Sequence, residues 1–212
     1  MSGEPSLRER KKELTRSAIA DAAARLFGDR GFDEVTVADV ARAAEVSVGT
    51  VFNYFPTKED LFYGRMQDFE ASLVDAVRTR APGESVLTAF RRFVLTGAKA
   101  LADSERAEAI ATAMRIVAGS AALRAREREL VSRSTHALAE LIAEETGSAA
   151  GDVQPLVVAH ALMGAQRALV ESVHAAVLAG TRGPRLARIA RASGERAFAV
   201  LEGGLAAYAV KR

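Results

Sequence analysis

Apolar residues recur along this chain at the three- and four-residue intervals that give an α-helix one buried face, and no segment alternates as a strand does. From about Glu9 onward, Ile19, Ala22, Ala23, Leu26 and Phe27 fall on one side of a helix that Gly31 stops. A second helix is expected from Thr36, whose hydroxyl can cap the amide of Asp39; it buries Val37, Val40 and Ala41 and ends near Ala44. Ser47 opens a third. Pro56 cannot continue that helix, and Thr57, with Asp60 three residues on, caps a fourth that runs to about Arg80. Beyond the break at Ala81, Pro82 and Gly83, five more helices are expected near residues 84–102, 105–118, 121–146, 153–179 and 184–208. The expected fold is all-α: a nine-helix, two-domain protein, with a three-helix N-terminal domain over residues 1–57 and a helical bundle over residues 58–212.

Composition removes several function classes. There is no Cys, so disulfides, thiolate metal sites and thiol catalysis are out, and a reducing cytoplasm is the expected location. His136, His160 and His174 stand apart from one another and from paired acids, so neither a metal nor another cofactor is expected. The chain starts without an apolar run behind its charges and nowhere reaches the roughly 18 apolar residues a membrane span requires, so no leader and no span are expected. No nucleophile has a His neighbour in a recognisable motif, and there is neither a Glu-x-x-His pair nor a phosphate-cradling Gly loop, so no enzyme is expected.

Net charge, +2 with an isoelectric point near 9.1, says little about nucleic acid, because acidic residues outnumber basic ones over residues 1–57. Placement says more. Arg8, Arg10, Lys11, Lys12 and Arg16 cluster at the entry to the first helix, either as an ordinary solvated helix start or as phosphate anchors.

The second and third helices, joined by a turn of about three residues, have the layout of a helix-turn-helix, in which the second helix enters the major groove. At about 100° per residue, Val51 and Phe55 fall together on the inward side of the third helix while Gly49 and Asn53 lie nearly opposite, flanked by Thr50 and Phe52. Gly49 is a poor helix former, which suggests a backbone that something must approach closely. Asn53 can read a base edge, adenine in particular, and Val48 can meet a thymine methyl. Thr36, Ser47, Tyr54 and Lys58, with Arg8, Lys11, Lys12 and Arg16, are candidates for phosphate contacts. Thr36 and Ser47 cap helices in either case, and Tyr54 either packs or reaches phosphate.

Gly31-Phe32, Thr36-Val37-Ala38-Asp39-Val40-Ala41 and the run from Val46 through Asn53-Tyr54-Phe55-Pro56-Thr57-Lys58 to Leu61 resemble the TetR family of transcriptional regulators. The likeness covers about residues 12–62 and departs at Phe52, where many relatives carry Tyr, so no hydrogen bond from that ring to phosphate is expected. The resemblance implies a double-stranded DNA operator as partner, a homodimer, a small-molecule effector held in the second domain, and a repressor released by it. Regulation without an effector, or by a protein partner, or by activation, is the alternative. It also implies a pocket among helices carrying Met66, Phe69, Phe90, Phe93, Met114, Met163, Gln166 and Arg167, although Arg167 is equally placed to pair with Glu171. The last two helices would then supply the dimer face, with Val158, Ala161, Ala165, Val173 and Val177 on one and Leu186, Ile189, Phe198, Leu201 and Leu205 on the other. These stripes read without the family as intramolecular core.

Overall fold

The computed structural model describes residues 6–205 and residue 210, the side chains of residues 65–70 and 205 excepted. Among the described residues there are nine α-helices and one 3-10 turn: α1 (Leu7–Arg30), α2 (Val37–Ala43), α3 (Val48–Tyr54), α4 (Lys58–Arg78), α5 (Val86–Ala98), the 3-10 turn (Lys99–Ala102), α6 (Ser104–Gly119), α7 (Ala121–Thr146), α8 (Gln154–Leu178) and α9 (Gly183–Leu205). The all-α expectation holds. The helix drawn over residues 84–102 is α5 tightening into the 3-10 turn at its end. No described helix is long and apolar enough to cross a membrane.

Caps place the N-terminal boundaries. Ser6 and Glu9 form a reciprocal capping box two residues ahead of the expected start of α1, Thr36 and Asp39 do the same for α2, and Ser47 accepts from the amide of Thr50 at the start of α3. The chain divides into two compact units. The first comprises Met1–Asp68 with Arg115–Arg126; the second comprises Phe69–Met114 with Glu127–Arg212. The first unit thus takes in the start of α4 and the α6–α7 corner as well as the 57 residues expected of it.

The second unit has a continuous core in which Phe90 and Phe198 meet edge to face with centroids 5.9 Å apart, both fully buried. Burying a side chain of that size contributes about 1.5–3 kcal/mol. Arg80, just past the end of α4, is also fully buried. Its Nη1 donates to the Val77 carbonyl at 2.8 Å, its Nε donates to the Glu84 carbonyl at 3.0 Å, and its guanidinium pairs with Glu145. A buried cation is tolerated here because the Val77 carbonyl in the last turn of α4, the Glu84 carbonyl in the loop beyond it and the Glu145 carboxylate surround it.

Candidate nucleic-acid interface

The recognition element is set on a compact base. Val51 and Phe55 of α3 are buried, with Ile19, Ala22, Ala23 and Phe27 of α1 and Val40 and Ala41 of α2 buried in the same unit. Phe27, Phe32, Phe62 and Tyr63 form an aromatic chain with centroid separations of 5.0–6.2 Å. Between α2 and α3 the backbone turns at Glu45, which adopts φ 55°, and the Val46 amide donates back to the Ala41 carbonyl at 3.0 Å. The turn is thereby closed without glycine, at some local strain.

Two contacts fix Phe55. Arg16 lies over its ring at 5.1 Å, and Gly64 of α4 runs so close that a Cβ there would stand 2.7 Å from Phe55 Cε1. Sequence reasoning passed over Gly64, although a glycine inside a helix is itself a signal of close approach. Gly49 differs. A Cβ at that position would meet only Ser47 Oγ, at 3.8 Å, and its φ is not positive, so nothing inside the chain demands glycine there.

Outward, α3 presents Val48, Gly49, Phe52 and Asn53 to solvent, with Thr50 and Tyr54 half-buried beside them. The helix carries no charged residue. Ser47 Oγ accepts from the Thr50 amide at 3.0 Å and shares a hydroxyl contact of 2.8 Å with Thr50 Oγ1. The Thr36 hydroxyl donates to Asp39 Oδ2 at 2.8 Å, while Asp39 pairs with Arg30 and Arg42. Hydrogen bonds from the Thr36 backbone and hydroxyl, joined by those two arginines, hold the Asp39 carboxyl below its ordinary range. Arg8, Lys11 and Lys12 are exposed on α1, whereas Arg16 is half-buried on Phe55. Lys58 is half-buried too, its ammonium 4.4 Å from the Phe32 centroid and donating to the Asp33 carbonyl at 3.4 Å.

A second feature that sequence reasoning missed braces this unit. Asp60, 4% exposed, divides its two oxygens: Oδ2 accepts from the Thr57 amide and hydroxyl at 3.1 and 2.8 Å, and Oδ1 accepts from Arg126 Nε and Nη2 at 3.2 and 2.7 Å. Burial alone raises the Asp60 carboxyl, but the bonds from Arg126 and Thr57 and the Arg126 charge outweigh it and hold the pKa below its ordinary value. Three residues on, the buried Tyr63 hydroxyl donates to the Leu123 carbonyl at 3.1 Å. Arg126 lies 66 positions from Asp60, so no local pattern announces it.

Comparison with known proteins agrees with this architecture. Residues 19–63 match the profile of bacterial regulatory proteins of the tetR family, and residues 84–191, half of the chain, match the profile of the MftR C-terminal domain. The chain belongs to the TetR family. TcmR of Streptomyces glaucescens, named as a transcriptional regulator, is 33% identical over 85 residues, which is 40% of this chain and 38% of that one. MftR of Mycobacterium tuberculosis, named for mycofactocin biosynthesis regulation, is 25% identical over 162 residues, 73% of this chain and 77% of its own. The matched segment thus spans well under half of the first relative and about three quarters of the second. Among solved structures, NalD of Pseudomonas aeruginosa superposes with a TM-score of 0.57 at 22% identity, covering 92% of this chain and 98% of NalD, and so shares the fold. Members of this TetR family are transcriptional regulators and not enzymes.

The residues expected at the dimer face and the pocket are divided between core, half-buried and exposed positions. Val158, Ala165, Val173, Val177, Leu186 and Phe198 lie in the core of their own chain. Ala161, Ile189 and Leu201 are half-buried. The outward face of α8 carries Val157, Gly164, Ala168, Ala175 and Leu178, with Ala161 at its margin. Of the pocket candidates, Phe90 and Met163 are core, Phe93 and Met114 are half-buried against it, and Arg167 is exposed with its Nε donating to Glu171 at 3.0 Å. Gln166 is half-buried. Met66, Phe69 and Leu205 lie outside the residues whose side chains are described. An open groove of about 370 Å³ runs between α5 and α9, lined by Leu87, Thr88, Arg91, Arg92, Leu95 and Glu202, none of them a pocket candidate.

Proposed function

We propose that this protein is a homodimeric, sequence-specific DNA-binding regulator that inserts α3 of each protomer into the major groove of a palindromic operator, and that it represses until a small molecule in the second unit releases it. One observation carries the reading. An uncharged short helix, anchored inward by Val51 and Phe55, offers exposed Val48, Gly49, Phe52 and Asn53 to solvent. Such a surface suits base edges and a sugar-phosphate wall.

Thr50, Val48 and Asn53 are the readers in this reading. Thr36, Ser47, Tyr54, Lys58 and the exposed Arg8, Lys11 and Lys12 are the phosphate anchors, with Arg16 and Lys58 pre-positioned over Phe55 and Phe32. Phe52 stacks against the backbone without a hydroxyl to donate. One head reads few base pairs, so two heads about 34–36 Å apart are needed for specificity. The outward stripe of α8, whose Gly164, Ala168 and Ala175 permit close helix approach, is the partner-facing surface. The repressor sense is supported by NalD, itself described as a repressor.

Selection of bound duplexes from a random library, followed by footprinting, tests the reading. A protected palindrome is expected. Asn53→Ala relaxes base choice at one position in each half-site, and Lys58→Ala weakens all sequences alike. Equal effects from the two variants would refute the division into readers and anchors, and the absence of any selected motif at moderate salt would refute the function.

A further inference from the structure

A polar atom stands unsatisfied inside the second unit. Gln166 lies in the middle of α8, on the same side as Leu162, Leu169 and Val173, which are all buried. Its Oε1 has less than 1 Å² of accessible surface and no hydrogen-bond partner. Native interiors pair such oxygens almost without exception, since an unpaired buried acceptor costs about 1–3 kcal/mol. The local packing is also open. Gln166 is itself half-buried, and Val170, one turn on, is 39% exposed, although residues before and after them along the same inward face are below 10%.

We infer that Gln166 is the polar anchor of the effector site, and that its Oε1 receives an O–H or N–H from an otherwise apolar, uncharged ligand. The inference rests on the proposed effector-responsive function and names the ligand's chemistry. Three features set that class. A carbonyl oxygen accepts and does not donate, so the group that pairs with Oε1 is a donor. Leu162, Met163, Leu169 and Val170, the neighbours of Gln166 at three and four residues along α8, leave nothing to solvate an ion. Arg167, the nearest cation on the helix, is exposed and paired with Glu171. Half-buried Phe93 and Met114, packed against the same core, supply apolar surface of the adaptable kind that pockets use.

The test uses the full-length protein and matched pairs of probes, primary alcohols of six to twelve carbons and the methyl ethers of the same alcohols, followed by calorimetry. At least one alcohol is expected to bind about tenfold to a hundredfold tighter than its ether, because the ether leaves Oε1 unpaired. Gln166→Leu should abolish that discrimination while still binding both members of the pair. The protein contains three glutamines, Gln67, Gln154 and Gln166, so the side-chain amide spectrum of glutamine-labelled protein gives a direct second readout. The signal missing in Gln166→Leu must be the one that the alcohol shifts in the unaltered protein. Alcohol and ether binding alike, an ether preferred over its alcohol, no probe binding at all, or discrimination surviving in Gln166→Leu would each overturn the assignment. These outcomes are separate from the DNA selection, whose failure would remove the regulator reading whatever the probes do.

Discussion

Replacing Arg126 by Met removes the two bonds that Asp60 Oδ1 accepts from it, at a carboxylate only 4% exposed, while the Thr57 bonds to Oδ2 remain. Removing one partner of a fully buried pair costs about 3–5 kcal/mol. Arg126 retains 21% exposure and the cap on Oδ2 survives, so a loss of about 2–3 kcal/mol is expected for the first unit. The assay is amide hydrogen exchange at Val51 and Phe55, buried positions of α3, because unfolding of a two-unit protein does not report one unit alone. The loss should read as roughly 30- to 150-fold faster exchange, at about 1.4 kcal/mol per factor of ten. The pH dependence gives an internal check. Asp60 has its pKa depressed in the folded protein, so its contribution is fully present above the unfolded value of about 3.9 and is lost as pH falls through the lower folded value. In Arg126→Met the uncompensated burial moves the folded pKa upward, and the gap between the two proteins narrows as pH drops from 7 toward 3.5. Less than threefold acceleration at pH 7, or a gap that stays constant with pH, would show that the pair does not brace the head.

Three further outcomes are expected. Gly49→Ala should raise the stability of α3 by up to about 1 kcal/mol, since Ala is the better helix former and the chain leaves room for its Cβ, yet weaken binding to the selected DNA. Stability and affinity moving in the same direction would contradict the close-approach reading. Gly64→Ala drives a Cβ into the buried Phe55 ring and should cost about 1–3 kcal/mol in thermal unfolding; an unchanged melting temperature would mean that Phe55 repacks freely. Phe198→Ala should cost about 3–5 kcal/mol, because its ring is fully buried against Phe90, with DNA choice unaltered in whatever protein stays folded. A mild effect would place Phe198 at an edge and not in the core.

Short-range interactions made much of this protein readable from its sequence. A cap binds an amide three residues on, a helix groups residues three and four apart, and Pro56 ends whatever precedes it. The boundaries of α2 and α3, the inward Val51 and Phe55 and the outward Gly49 and Asn53 therefore follow from local spacing. Helix α8 was not legible in the same way. Periodicity alone read its Val158, Ala165, Val173 and Val177 stripe as core and the family resemblance read it as a partner face, and packing against α9 and α5 buries that stripe while Val157 and Leu178 face out. That packing put Val158, Ala165, Val173 and Val177 in the core. Tertiary structure alone also joined Asp60 to Arg126, fitted Gly64 against Phe55 and enclosed Arg80. Each joins residues that no helical or capping period relates, or buries a group that composition assigns to solvent. The sequence thus determined the reading helix and its orientation. Three-dimensional packing determined how that helix is braced, which side of α8 is buried, and where the Gln166 carbonyl oxygen stands without a partner.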